Sequence, residues 1–273
     1  MMTEKPKTGF IGAGNMAAAL IKGLIHSRSF HQDRLCACDK EKKTLTSIST
    51  QFGIECHSSN IELVRECSIV VLSVKPQNVR DVLEEVKGEI RDDHLIISIA
   101  AGIPLAMIRG IIGKAIPLIR VMPNTPALVQ KGVSALAGGD PAGPEHMAMA
   151  RAIFDAVGDT VEVEESMMDA VTALSGSGPG YVFRMMECMV NAGTSVGLEQ
   201  DISIRLVVQT FLGAAHLAKE SEHSLAQLRE MVTSPGGTTA EGLATFDRMG
   251  LEDMTIKAVE AACKRSVELG KDD

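Results

Sequence analysis

Gly12, Gly14 and Ala17 stand in the stretch Gly9-Phe10-Ile11-Gly12-Ala13-Gly14-Asn15-Met16-Ala17, a GxGxxA spacing that follows an apolar run and opens an amphipathic one. That spacing suits a pyrophosphate. The first glycine permits a tight turn, the second lets the backbone approach the ligand, and the small third residue lets the helix pack on the strand. The helix start adds free N–H groups and the positive end of its dipole. A glycine turn with no ligand is the alternative.

Asp39 ends the second apolar run, where an acid would accept from adenosine ribose hydroxyls and favour NAD. Lys40, Lys42 and Lys43 follow at once and suit either a 2′-phosphate or a solvated helix start, so NADH against NADPH stays open. Ser73-Val74-Lys75-Pro76 and Ile99-Ala100-Ala101-Gly102 close two further runs, where small residues leave room for a nicotinamide ribose. Lys75 contacts the cofactor there or is a surface lysine. Asn60 caps a helix over 61–67 or touches the adenosine.

Later in the chain, Ser234-Pro235-Gly236-Gly237-Thr238-Thr239 opens a helix with backbone N–H groups and two hydroxyls, and no Lys or Arg lies between Thr233 and Thr245. A carboxylate fits such a helix end, as does a conventional N-cap turn. Glu222, upstream, is a solvated loop acid or an acceptor for a cationic ring nitrogen. Ser175-Gly176-Ser177-Gly178-Pro179-Gly180-Tyr181 is a helix start with more small residues than capping needs. It implies a close approach of ligand or backbone, or a kinked, tightly packed helix.

The elements that must position these groups fall into two kinds. Over the first 160 or so residues, strands are predicted at 8–11, 35–38, 69–74, 95–99 and 118–121, with helices at 15–26, 40–52, 77–90 and 104–112. Two more strands, 133–137 and 160–163, flank a helix at 144–157. Near-continuous Val/Ile/Leu runs between helices mean a parallel sheet covered on both faces. After Glu164 only helices follow, over 166–174, 179–196, 202–219, 225–232, 238–249 and 252–269. The expectation is an α/β chain: a Rossmann-like doubly wound domain over 1–164 and an all-helical domain over 165–273. The two helix starts, one per domain, are expected to face a shared crevice.

With 45% apolar and 23% charged residues, the 273-residue chain has the balance of a folded protein. A net charge of −8 and the lack of any basic run argue against nucleic acid or an anionic membrane. The longest apolar tract, 95–108, holds Gly102 and Pro104 and is too short to span a bilayer. Residues 1–7 are polar and read as no targeting segment. Six cysteines without a CxxC pair point to reduced thiols in cytosol, and no histidine pair has metal-ligand spacing.

Taken together, GFIGAGNMA (9–17), SVKP (73–76), SIAAGI (98–103), MPNTPA (122–127), ALSGSGPGYVF (173–183) and SPGGTT (234–239) closely resemble pyrroline-5-carboxylate reductase. The resemblance spans the chain, and its last two segments are the most specific. It implies reduction of 1-pyrroline-5-carboxylate to L-proline with NADPH or NADH, in the cytoplasm. The implied cofactor contacts are Ile11, Gly12, Ala13, Gly14, Asn15, Met16, Asn60, Ser73, Val74, Lys75, Pro76, Ile99, Ala100 and Ala101, beside Asp39 from its position. Glu222, Thr238 and Thr239 are the implied substrate contacts, beside Ser234, Gly236 and Gly237; Thr239 and Glu222 are the expected catalytic pair. The resemblance also implies a helical dimerisation domain and dimers assembled into decamers. Two departures stand out: Asp39 where many members carry Ser or Thr, and Gly180 where Ala is common. β-Hydroxyacid dehydrogenases and imine reductases share this layout but place a catalytic Lys or Asp in the helical domain, and here its lysines lie in no glycine-bounded motif. A dinucleotide sensor would leave the 234–239 cluster unexplained.

Overall fold

A computed structural model describes residues 6–270, so the polar lead at residues 1–5 lies outside the described residues. Eight strands form one sheet: β1 (Thr8–Ile11), β2 (Leu35–Cys38), β3 (Glu55–His57), β4 (Ile69–Leu72), β5 (Leu95–Ser98), β6 (Leu118–Met122), β7 (Gly132–Gly139) and β8 (Gly158–Glu162). Their order is β3-β2-β1-β4-β5-β6-β7-β8. The helices of this part are α1 (Asn15–His26), α2 (Lys42–Phe52), α3 (Asn60–Glu66), α4 (Val79–Val86), α5 (Leu105–Ile112), α6 (Pro144–Phe154) and α7 (Met168–Val171). Five more follow: α8 (Gly178–Ser195), α9 (Gln200–Glu220), α10 (Leu225–Met231), α11 (Thr238–Arg248) and α12 (Leu251–Leu269).

Alternation along the strands fills two apolar layers. Phe10, Ala37, Val71, Ile97 and Ile119 join Ala17, Leu20 and Leu24 of α1 and Phe154 of α6 on one face. Ile11, Cys36, Cys38, Val70, Leu72 and Ile96 meet Leu63, Leu83 and Ile108 of α3, α4 and α5 on the other. Successive side chains point to opposite faces, so runs buried at every position are what a doubly covered sheet requires.

The sheet departs from the expected all-parallel form at β7, which pairs antiparallel with β6. Only residues 123–131 join them, fewer than the dozen or more that a parallel crossover takes. The edge strand β3 was not predicted, because Glu55-Cys56-His57 is too short and polar to carry a strand pattern.

By contacts the chain forms two compact units. One runs to Ser177 and takes in the stretch from Ala262 on; the other is Gly178–Ala261. Within the first, Ser266 donates a 2.7 Å hydrogen bond to Asp169, and the end of α12 packs on Gly102, leaving a Cβ there 3.3 Å from Leu269 Cβ. Arg120 on β6 is 6% exposed and lies 3.7 Å from Glu165 and 3.8 Å from Asp169. Glu165 also accepts the Leu105 N–H at the start of α5. Burial lowers the Arg120 pKa, against which Asp169 and Glu165 favour its charge.

In the second unit α8 and α9 form a hairpin turned at Gly197, whose φ is +99°. Gly193 lets them close: a Cβ there would lie 2.7 Å from the Ser203 hydroxyl. Apolar side chains remain uncovered on this hairpin, among them Phe183, Leu206, Val208 and Leu212.

Candidate functional site

β1 is flanked by β2 and β4, so chain order reverses beside it, which is where open α/β sheets bind ligands at their strand ends. Gly12 follows β1 with φ +95°, and a Cβ there would sit 2.7 Å from the Ser73 carbonyl oxygen. Only glycine makes this turn without strain. Ser73 braces it from the end of β4: its N–H donates to the Ile11 carbonyl at 2.9 Å and its hydroxyl to the Gly12 carbonyl at 2.6 Å. Gly14 is the N-cap of α1, with no side chain capping the helix. No described atom lies within 4 Å of where a Cβ on Gly14 would be, outside its own turn. Ala13 and Ala17 are buried while Gly14 and Asn15 face solvent. An open helix start above a glycine turn closed from below fits a dinucleotide pyrophosphate.

Asp39 is held rather than free. Its Oδ2 accepts the Ala13 N–H at 2.8 Å and its Oδ1 the Glu41 N–H at 2.9 Å. Lys40, Lys42 and Lys43 are exposed and form no ion pair among the described residues. Asn60 is the first residue of α3, not its cap, and its amide donates to Glu85 at 2.8 Å. Lys75 is exposed beside half-buried Val74 and Pro76, and Ile99, Ala100 and Ala101 follow β5 with the Ile99 N–H on the Leu72 carbonyl.

Ser175 and Gly176 belong to a π-turn over Thr172–Gly176, a form that often marks functional positions. Asn124 ties it to the sheet, donating to the Ser175 carbonyl at 3.3 Å and accepting the Val133 N–H at 3.0 Å. A Cβ on Gly176 would meet the terminal methyl of Met122 at 2.4 Å, so a side chain there requires Met122 to swing aside. Asn124 had no assigned role in the sequence reading; an amide between two prolines was the available signal.

In the second unit, the Ser234 carbonyl accepts the Gly237 N–H at 2.9 Å, and Gly236 has φ +68°. Proline second and a left-handed glycine third are the pattern of a type II turn. It delivers the chain to Gly237, the N-cap of α11, again with no side chain capping the helix. Ser234, Thr238 and Thr239 are exposed there. Glu222 lies in the loop after α9, exposed, with no hydrogen bond or ion pair among the described residues. No hydrogen bond joins Glu222 to Thr239 among the described residues.

Away from both helix starts, Glu55, His57 and Glu66 form a group that could ligate a metal. The Lys7 ammonium stands among them, 2.8 Å from Glu55 and 2.5 Å from Glu66, and these contacts raise its pKa against the opposing burial.

The family model for pyrroline-5-carboxylate reductase dimerisation matches residues 165–269, and that for coenzyme F420-dependent NADP oxidoreductase matches 7–102. A pyrroline-5-carboxylate reductase of Methanosarcina acetivorans is 41% identical over 98% of this chain and 99% of its own. That of Pseudomonas aeruginosa is 41% identical over 97% of both. The solved Coxiella burnetii pyrroline-5-carboxylate reductase superposes with a TM-score of 0.92 at 36% identity, covering 97% of this chain and 98% of that one. The Plasmodium falciparum pyrroline carboxylate reductase, solved with NADP bound, gives 0.88 at 34%, covering 98% and 99%.

Proposed function

The chain belongs to the pyrroline-5-carboxylate reductase family, and on that premise we infer that it reduces 1-pyrroline-5-carboxylate to L-proline with NADPH or NADH. The observation that carries this reading is the open, uncapped start of α1 over a glycine turn, in a chain that matches such reductases nearly end to end.

The substrate is a cyclic imine that, once protonated on nitrogen, is already electrophilic at carbon, so the chain needs no nucleophile of its own. When bound, the dinucleotide supplies the hydride. Gly12, Ala13, Gly14, Asn15 and Met16 would hold its pyrophosphate, with Ser73, Val74, Lys75, Pro76, Ile99, Ala100 and Ala101 towards the nicotinamide ribose and Asp39 and Asn60 towards the adenosine. The start of α11, with Ser234, Gly236, Gly237 and Thr238, would fix the carboxylate through backbone N–H groups and hydroxyls. Thr239 donates or accepts at the ring nitrogen, and Glu222 holds the iminium proton and its water. These residues contribute orientation and charge placement, the main needs of a reaction whose electrophile arrives activated. We take residue 164 as the end of the nucleotide-binding part, supported by the dimerisation match beginning at 165.

The dimerisation region makes the protein a homo-oligomer, and the uncovered apolar residues of α8 and α9 suit such a contact. Assembly of dimers into a decamer, and residence in the cytoplasm, are part of the same proposal. No described helix is long and apolar enough to cross a membrane.

The test is an NADH and NADPH oxidation assay with 1-pyrroline-5-carboxylate, run beside oxidation of a 2-hydroxy acid. Turnover confined to the imine is the expected result. Turnover confined to the hydroxy acid, or none, overturns the reading. Light scattering that finds only a 29.0 kDa species overturns the assembly.

A further inference from the structure

Asp39 is wired into the turn beneath the proposed pyrophosphate, and this inference rests on the reductase reading above. Two hydrogen bonds run side by side from the turn after β1 to the end of β2: the Gly12 N–H to the Cys38 carbonyl and the Ala13 N–H to Asp39, each 2.8 Å. The Glu41 N–H takes the other carboxylate oxygen at 2.9 Å. The negative charge is therefore fixed at the end of β2, where an adenosine ribose lies in such folds.

A carboxylate is an acceptor only, and each oxygen keeps a further lone pair for a ribose hydroxyl. A 2′-phosphate there would set two anions against each other. The competing influence is Lys40, Lys42 and Lys43, which are exposed, so their attraction is screened by water and salt. A charge held by two backbone donors keeps its position, while flexible lysines lose side-chain entropy to reach theirs. We propose that Asp39, seated on Ala13 and Glu41, is the specificity-determining residue that makes this chain prefer NADH to NADPH.

The experiment is calorimetric titration of the full chain with NAD+ and NADP+, together with kcat/KM for NADH and NADPH. Wild type should bind NAD+ at least about tenfold more tightly than NADP+, as expected when like charges meet at short range. Asp39→Asn and Asp39→Ser should each narrow that ratio by about tenfold. A variant lacking all three lysines (K40A, K42A, K43A) should change NADP+ affinity by no more than about threefold. Equal or tighter binding of NADP+ by wild type overturns the proposal, whether or not the Asp39 variants fold. So does a ratio unmoved in a folded Asp39 variant. Failure of imine turnover with the binding ratio intact would sink the reductase reading and leave this one standing.

Discussion

Arg120 lies buried in the sheet with its guanidinium 3.8 Å from the carboxylate of Asp169, which also accepts the hydroxyl of Ser266. One buried cation thus organises β6, α7 and the end of α12. Replacing it by Met keeps much of the volume but leaves Glu165 and Asp169 without their counter-charge. Because both acids are about one-third exposed, the expected loss is about 2 to 4 kcal/mol, at the lower end for breaking a buried pair. Thermal unfolding of Arg120→Met at fixed protein concentration checks it, and an unchanged midpoint would show the network to be idle.

Gly12 and Gly14 should separate stability from binding. Gly12→Ala forces φ +95° on a Cβ that meets the Ser73 carbonyl, so it should lose about 2 to 4 kcal/mol as well as dinucleotide binding. Gly14→Ala has room and an ordinary φ of −70°, so its midpoint should stay within about 1 °C. Its methyl would nevertheless stand where the pyrophosphate must approach, raising the Kd at least about tenfold. Wild-type affinity in Gly14→Ala would move the phosphate away from α1.

Thr239→Ala removes a hydroxyl at the start of α11 that no other described residue engages. The expected result is a fall of about 10- to 100-fold in kcat/KM with an unchanged Kd for the dinucleotide. Glu222→Gln should lower kcat in the same way. Wild-type kinetics in Thr239→Ala would remove that residue from the mechanism.

His94 is fully buried, accepts the Arg91 N–H at Nδ1 and donates from Nε2 to the Cys67 carbonyl at 2.8 Å. That arrangement takes only the neutral ring. Burial first, and Arg91 second, lower its pKa below the ordinary 6.5. The unfolded chain therefore protonates before the folded one. Stability should be level above about pH 6.5 and fall as pH drops, until the folded ring also takes a proton. His94→Gln should remove at most about 2 kcal/mol of the difference between pH 7 and pH 5, read from denaturant unfolding at each pH. An equal slope in the variant would show that acids alone set the pH response.

The nucleotide turn was legible because Gly12, Gly14 and Ala17 serve a backbone geometry that few other residues tolerate, and because the flanking runs alternate strand with helix. Asp39 was legible as a position but not as a partner of Ala13, since a contact 26 residues away leaves no local trace. Asn60 shows the same limit: its side chain goes to Glu85 on α4 rather than to its own helix start. β3 was hidden because edge strands can be short and polar. The reversal of β7 was readable in principle from the shortness of 123–131, but periodicity says nothing of direction. The start of α11 could be read from Pro235, Gly236 and Gly237, whose turn chemistry is local.

Ser266 and Leu269 close the first unit although it begins with β1. During synthesis its sheet can assemble early, yet the partner of Asp169 and the packing over Gly102 arrive only after the whole helical stretch has been made. The nascent first unit must therefore wait, unfinished, while the ribosome reads through Gly178–Ala261. A premature stop anywhere before Ala262 would harm the unit whose sheet has, by position along the message, already been made.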